Sequence, residues 1–421
     1  MSRLDELIQE LCPDGVSFVK MGECCTITKG QTPIQKAIPG EYPLVVTTDE
    51  RKSSNTYQFD KPSVCIPLGS SRGHGVASLN QVYYQEGKFA LGNILCAVTP
   101  KDSDELSAKF LHQYLNLKKD VLIVPLMRGG ANVSLSMDSL EHIKIPIPPM
   151  PVQLEIVYIL EKFTELITEL TFELTARRKQ YNYYRDKLLT FDRPIENKNI
   201  YWTTIADICK TVVSGGTPKS SNADYYGGTI PWLRTQEVDW RDINDTEMKI
   251  TEQGLASSSA KWIPENCVIV AMYGATAAKV AINKIPLTTN QACCNLEVDE
   301  NKALYRYVFH WLSKEYKSLK ALGQGSQSNI SVNVIKQYRI PVPSLDIQER
   351  IVNVLDNFDA ICSDLNIGLP AEIEARKKQY EFYRDRLLTF DNASTTILNA
   401  MQCNAMQCNA MQCNAMQCRA D

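Results

Sequence analysis

Side chains with catalytic potential are few and dispersed. His74, His112, His142 and His310 stand far apart, and no Ser/His/Asp or Cys/His set is legible around them. The chain lacks the Asn/Asp-Pro-Pro-Tyr run of an amino-methyltransferase and the Gly-x-x-x-x-Gly-Lys-Ser/Thr loop that cradles phosphates, and Gly323-Gln-Gly325 stands alone. Fourteen cysteines form no Cys-x-x-Cys pair; the adjacent pairs Cys24-Cys25 and Cys293-Cys294 read as free thiols rather than zinc ligands or disulfides. What recurs instead is polar, glycine-rich loop text, found twice. Ser214-Gly-Gly-Thr-Pro218 matches Lys29-Gly-Gln-Thr-Pro33. Ala271-Met-Tyr-Gly-Ala-Thr-Ala-Ala-Lys279 lies near the position of Pro67-Leu-Gly-Ser-Ser-Arg-Gly-His74. At an offset of 197, Asn290 falls opposite Asn93, and Gln324-Gly-Ser-Gln-Ser-Asn329 opposite Met127-Arg-Gly-Gly-Ala-Asn132. Arg, Lys, Asn and Gln pair with base edges in the major groove, and small residues let backbone approach phosphates. Ordinary surface loops would read the same way.

The elements that must carry these loops are duplicated too. Residues 176–192 and 375–391 are identical at 13 of 17 positions, 199 residues apart, which marks a duplicated unit of nearly half the chain. A short amphipathic helix is expected over residues 1–11, with Leu4, Leu7, Ile8 and Leu11 on one side. Short β-like runs follow to Pro149, with a helix near 107–120. After Pro151 a heptad seam runs through positions 156, 160, 163, 167, 170 and 174, then Arg177, Tyr181, Tyr184, Leu188 and Phe191. A helix of about 40 residues would be roughly 60 Å long. The second half repeats the plan: β-rich text over 201–340, a helical patch near 302–320, and a second seam through Ile351, Leu355, Phe358, Cys362 and Leu365. That seam breaks at Gly368 to Pro370 and resumes at Ile373, Arg376, Tyr380, Tyr383, Leu387 and Phe390. Pro148 aligns with Pro343 at an offset of 195, so the second arm holds four extra residues, placed near the Gly/Pro break. Two such helices most simply pair antiparallel and hold two β-rich domains apart. Within the first arm, Thr164-Glu-Leu-Ile, Thr168-Glu-Leu-Thr and Phe172-Glu-Leu-Thr repeat every four residues; one unit is worth roughly 6 Å of helix.

Composition is that of a soluble globular protein of two or three domains: 421 residues, 44% hydrophobic, 22% charged. No apolar run approaches the roughly 20 residues of a membrane span, and the start lacks a signal peptide's apolar core, so the cytoplasm is expected. A net charge of −3 argues against a non-specific nucleic-acid coat but allows a local basic face. From Asn399 to Cys418 the pentapeptide Asn-Ala-Met-Gln-Cys occurs four times, a period that fits neither helix nor strand, so a disordered tail is expected. Its codons can spell AATGC three times per pentapeptide. A tandem pentanucleotide would slip out of frame by one unit and switch the 3′ end of the gene; a repeat number that never varies among clonal isolates would sink that hypothesis.

Together these residues resemble a known family. Both arms follow Ile-Pro-x-Pro and then Gln (Ile145 to Gln153, Ile340 to Gln348) and close on Arg-Arg/Lys-Lys-Gln-Tyr…Tyr-Arg…Leu-Leu. With Gly-Gly-Thr-Pro…Ile230-Pro-Trp232 and Thr289-Asn-Gln-Ala292, the pattern over residues 1–391 resembles the specificity (S) subunit of type I restriction–modification enzymes. The resemblance implies an α+β, pseudo-two-fold molecule: two similar β-rich target recognition domains separated by two long helices that form an antiparallel coiled coil. The expected boundaries are 1–150 for the first recognition domain, 151–192 for the first helical spacer, 193–345 for the second domain, 346–391 for the second spacer, and 392–421 for the tail. Each domain would read one half of a split, asymmetric site in double-stranded DNA. The helices would set the gap and dock two modification (M) subunits that methylate adenine, joined by two restriction (R) subunits. S-adenosylmethionine, ATP and magnesium would belong to those partners, and no cofactor or metal to this chain. The residues expected to contact DNA are Arg72, Arg128, Thr217, Arg234, Lys279, Asn290, Gln291, Gln327 and Asn329. Tyr181, Tyr184, Arg185, Tyr380, Tyr383 and Arg384 are expected in coiled-coil and M-subunit packing. The first half departs from the family's loop text: it has Gly-Gln where Gly-Gly is common and no clear Pro-Trp. Two rival readings remain at this point, a diverged single-chain restriction or methylation enzyme and a coiled-coil interaction protein that binds no DNA.

Overall fold

The computed structural model describes residues 2–48, 50, 52–72, 75–191, 200–323, 329–363 and 367–390. The pentapeptide tail and Gln327 lie outside the described residues. The chain divides into two units, Met1–Thr168 with Glu374–Asp421, and Glu169–Ile373. The helix Met150–Leu188, called the long helix below, crosses the division inside the Thr-Glu-Leu series. Two further helices, Leu345–Ser363 and Leu369–Leu387, run back; they are called the first and second return helices. The long helix stops at Leu188, short of Phe191, where the seam was expected to end; the last three residues of that stretch, Leu189 to Phe191, lie beyond it, and Leu189 enters the core.

The first unit holds β1 (Phe18–Lys20), β2 (Cys25–Lys29), β3 (Tyr42–Val45), β4 (Lys52–Ser54), β5 (Ser63–Pro67), β6 (Tyr83–Gln85), β7 (Ala90–Leu91), β8 (Leu95–Pro100) and β9 (Lys144–Pro146). One sheet has the order β2-β8-β5-β6, a second β4-β3-β7, and β1 pairs β9. β5 and β8 are apolar on both faces. Val64, Ile66, Cys96 and Val98 face a core shared with Leu4 of the amphipathic helix Arg3–Leu11, Phe110 and Leu115 of helix Ala108–Leu122, and Ile156 and Leu160 of the long helix. The alternate residues Cys65, Leu95 and Ala97 pack on Phe89 and Leu91. This period-two division is what lets one sheet serve two layers.

The second unit repeats the plan. Its strands are β10 (Tyr201–Thr204), β11 (Cys209–Ser214), β12 (Tyr226–Leu233), β13 (Asp242–Ile243), β14 (Lys249–Ile250), β15 (Val268–Ala271), β16 (Val280–Asn283), β17 (Thr288–Thr289), β18 (Cys293–Val298) and β19 (Arg339–Val342). The sheets read β11-β18-β15-β16-β13 and β14-β12-β17, with β10 on β19. Cys293 and Cys294 point to opposite faces of β18, one into each core, as buried free thiols.

In each unit a fully buried glutamine joins the domain to its helix. Gln153 Oε1 accepts from Ser107 N at 2.9 Å, and its Nε2 donates to Glu105 O at 2.8 Å and Pro148 O at 2.7 Å. Gln348 makes the same three bonds, with Leu304 N at 2.9 Å, Lys302 O at 3.3 Å and Pro343 O at 2.8 Å. An ion pair repeats beside each: Lys109–Glu161 at 2.8 Å and Arg306–Asp356 at 2.6 Å.

Candidate nucleic-acid interface

In the first unit the loop after β2 is brought against the turn between β7 and β8. A Cβ on Gly30 would sit 2.2 Å from Gly92 O, so only glycine fits there. Thr32 N donates to Leu91 O, and Asn93 N to Thr32 O. A concavity of about 470 Å³ opens beside them, lined by Lys29, Ser70, Ser71, Asn80, Gln81 and Asn93 among others. Its far wall is the loop after β5, held in shape by Ser70, whose hydroxyl accepts from Arg72 N at 3.2 Å and Ser78 N at 3.1 Å. Ser70 N in turn donates to Val133 O, which sets the exposed Arg72 and the exposed Arg128–Asn132 loop side by side. Arg128 spends Nη1 on the carbonyls of Pro125 and Met127, so its guanidinium is aimed by its own loop.

In the second unit the loop after β11 meets the turn after β17. Gly216 N donates to Thr289 O at 2.9 Å, and the Thr217 hydroxyl bonds the Gln291 side chain. Asn290 N donates to Leu233 O, as Gly92 N does to Val45 O; Cys293 N donates to Asn290 O, as Leu95 N does to Gly92 O. The structural counterpart of Asn290 is therefore Gly92, and that of Gln291 is Asn93. The offset of 197 that set Asn290 opposite Asn93 is one residue short here, because numbering offsets cannot register a turn as hydrogen bonds do. The Pro-Trp counterpart also becomes visible: Trp232 pairs with Thr288 of β17 as Leu44 pairs with Ala90 of β7, so Pro43-Leu44 stands where Pro231-Trp232 does. The Trp232 indole N–H donates to Gly216 O at 3.0 Å, and a Cβ on Gly216 would lie 2.2 Å from Ala260 N. The backbone of Ser259 and Ala260 is what requires the second glycine here; in the first half Gln31 stands at that place, its N–H bonded to Gln58 Oε1.

The two cations expected here are both paired. Arg234 Nη2 contacts Glu247 at 2.9 Å, and Lys279 Nζ contacts Asp239 at 2.6 Å. Exposed Asn329 begins the strand-like step in which Ile330 N bonds Met272 O, next to Tyr273 at the end of β15. Tyr273, 41% exposed and followed by Gly274 at φ +78°, was absent from the sequence-based candidates; an aromatic inside an otherwise small-residue loop was its signal. Among the described residues, no group of three or more His, Cys, Asp or Glu could hold a metal.

The aromatic–basic blocks lie on the helices. In the first unit Tyr383 stacks on Phe163 at 5.3 Å, and Arg384 covers Tyr380 and pairs with Asp385. In the second, Tyr184 stacks on Phe358 at 5.5 Å, Arg185 covers Tyr181, and Tyr181 Oη lies 3.3 Å from His310 Nδ1. Rising numbers on the long helix meet falling numbers on each return helix, so the packing within each unit is antiparallel. His310 is wholly buried, with Nε2 2.6 Å from Asp356. Burial holds its pKa below the usual value against the pull of Asp356, and Arg306 adds to the lowering. A neutral ring that donates to Asp356 and accepts from Tyr181 satisfies both nitrogens.

A family model described as type I restriction modification DNA specificity domain matches twice, over residues 13–177 and 198–375. The chain belongs to the type I restriction–modification specificity subunits. The EcoR124I/EcoR124II specificity subunit of Escherichia coli is 36% identical over 312 residues, covering 71% of this chain and 74% of that one. A putative specificity subunit of Haemophilus influenzae is 30% identical over 333 residues, covering 75% and 81%. The crystal structure of the S subunit from M. genitalium covers 90% of this chain and 96% of its own, with a TM-score of 0.57 at 18% identity, a likeness of fold. Each matched segment contains one of the two β-rich domains, so the α+β, two-domain plan is the family's plan. No helix among the described residues is long and apolar enough to cross a membrane.

Proposed function

We propose that this S subunit reads a bipartite, asymmetric site in double-stranded DNA, one half with each β-rich unit, and serves as scaffold for two M and two R subunits. The observation that carries the reading is the duplication of the loop cluster on one plan with different side chains: Arg72, Arg128, Gln31 and Asn93 in the first unit, and Thr217, Arg234, Lys279, Asn290, Gln291 and Asn329 in the second. Same frame with different polar tips suits two half-sites of different sequence, because base edges are read by donor and acceptor pattern. Gln327 joins that set from its place in the sequence alone. Arg234 suits base contact, since its carboxylate neighbour Glu247 holds the guanidinium fork in one orientation, and Lys279, held by Asp239, offers a point charge. Tyr181, Tyr184, Arg185, Tyr380, Tyr383 and Arg384 would build the helical seam on which M docks. In this reading the chain does no chemistry. Adenine methylation with S-adenosylmethionine belongs to M, and ATP- and magnesium-dependent translocation and cleavage belong to R, in the cytoplasm. The Thr-Glu-Leu series would act as the ruler between half-sites.

Methylome sequencing with and without the gene tests this. Loss of N6-methyladenine at one bipartite motif is the expected result. Co-expression with the neighbouring methyltransferase in a methylation-free host should restore it. Methyl transfer by the purified chain alone, or no motif in either setting, would refute the reading.

A further inference from the structure

One aromatic side chain stands among the polar tips of the second unit and has no counterpart in the first. Tyr273 lies two residues past β15 with its side chain open to solvent. Among the described residues its hydroxyl makes no hydrogen bond and its ring no ring contact. The backbone around it is tied to three loops of the cluster. Met272 N donates to Ala292 O at 2.8 Å, one residue from Gln291, and Ile330 N donates to Met272 O at 2.9 Å, one residue from Asn329. Farther along the same turn the Thr276 hydroxyl donates to Thr235 O at 2.9 Å, one residue from Arg234. Ala277 and Ala278 are buried, and Ala278 N bonds Ala271 O at 2.8 Å although its φ is +69°, so the loop is held in one shape from both ends. In the first unit the matching bonds run from Leu68 N to Ile94 O and from Leu135 N to Leu68 O, which puts Gly69 where Tyr273 stands. A Cβ on Gly69 would meet nothing within 4 Å, so packing does not choose between the two residues.

We infer that Tyr273 reads a thymine in the half-site of the second unit, by packing its ring on the C5-methyl group in the major groove, and that the first unit has no such reader at this place. The inference rests on the DNA-recognition reading above. Arg234, Gln291 and Asn329 are of the types that pair with base edges in the major groove, so a ring held in their midst meets the same groove. The thymine methyl is the apolar group that groove presents, and apolar side chains contact it. A phosphate would use the hydroxyl alone and leave the ring in water; backbone contact is served by cations and amide N–H groups. A wedge between base steps is another use for an exposed apolar side chain. Such wedges enter from the minor groove, where the polar tips around Tyr273 would meet a degenerate pattern. The asymmetry also has a use. The two halves of an asymmetric site must be read differently, and a ring in one unit opposite a glycine gap in the other does so at one matched position of a shared frame.

The test uses the full chain assembled with its M subunit, and duplexes carrying the motif found by methylome sequencing. Each thymine of both half-sites is replaced singly by deoxyuridine, which keeps the base pair and removes only the methyl group. Burying one methyl group is worth about fourfold in Kd. One position, in one half-site, is expected to show that penalty with the wild type and to lose it with Tyr273→Ala, which should bind the thymine and deoxyuridine duplexes alike there. Tyr273→Phe should keep the discrimination, because the ring makes the contact. Thermal unfolding of both variants should match the wild type, since the side chain is exposed. Deoxyuridine penalties that all persist in Tyr273→Ala, or that appear at no position, overturn the inference and leave the S-subunit reading intact; a wild-type complex that binds no bipartite motif overturns that reading first. A Tyr273→Ala variant that weakens every duplex evenly, with each methyl penalty retained, would assign the ring to stacking or phosphate contact and overturn the inference as well.

Discussion

The buried glutamines Gln153 and Gln348 are the joints on which the geometry of each unit depends. Gln348→Ala would remove one acceptor and two donor bonds at once, leaving Leu304 N–H and the carbonyls of Lys302 and Pro343 without their partner in a site closed to solvent. Each buried group left unsatisfied costs about 1–3 kcal/mol, and a water entering the new cavity offsets part of that, so a loss of about 2–5 kcal/mol is expected. For a unit of this size that is a fall in Tm of roughly 5–15 °C. Gln348→Glu is more diagnostic. It keeps the acceptor for Leu304 N–H but aims a carboxylate at two carbonyls, so the folded-state pKa of the new Glu must rise. A raised pKa means that the folded state holds its proton to higher pH than the unfolded state does. The variant should therefore be closest to wild type below about pH 4.3 and lose stability as pH rises above it. Differential scanning calorimetry from pH 4 to 8 measures both effects, and Gln153 variants should behave alike. A Gln348→Ala unfolding within 1 °C of wild type, or a Gln348→Glu with no pH dependence of its own, would refute the reasoning.

Other outcomes follow from single contacts. His310 is held neutral in the folded state, so below about pH 6.5 the unfolded chain binds a proton that the folded one refuses, and stability should fall as pH drops from 7 to 5.5. His310→Gln, the residue type found at the matching position Gln113, should flatten that slope in urea titrations; an unchanged slope would show that another group carries it. Gly216→Ala and Gly30→Ala should each destabilise strongly, because the new methyl would sit 2.2 Å from backbone atoms, whereas Gly69→Ala, with open space around it, should unfold as the wild type does. Inserting one Thr-Glu-Leu-Thr unit after Thr171 lengthens the helix by about 6 Å, so the methylated motif should gain one or two base pairs in its gap with both half-sites unchanged. A changed half-site would contradict the ruler role.

Much of this molecule was open to reading along the chain. The duplication, the helical seam through Tyr181 and Tyr184, the entry Ile-Pro-x-Pro…Gln and the break near Gly368 are local or periodic signals. Hydrophobic spacing reports a helix face whatever the rest of the chain does. The seam even separates Tyr184 from Tyr183, one residue and about 100° apart on the helix. The resemblance of the two halves identified the family from the same text, and the comparisons agree.

Tertiary structure alone decided what the loops do to one another. Thr217 meets Gln291, Trp232 lids Gly216, Lys279 finds Asp239, and Ser70 ties Arg72 to the neighbouring Arg128 loop. These partners lie tens of residues apart, and no period links them. They are chosen by strand register, where a slip of one residue turns every side chain to the other face. That is why Gly92 rather than Asn93 stands for Asn290, and why Leu44 was not recognisable as the counterpart of Trp232. Periodicity tells which face of an element is apolar; only the closed backbone hydrogen bonds of the sheets and their turns tell which polar tips share a surface.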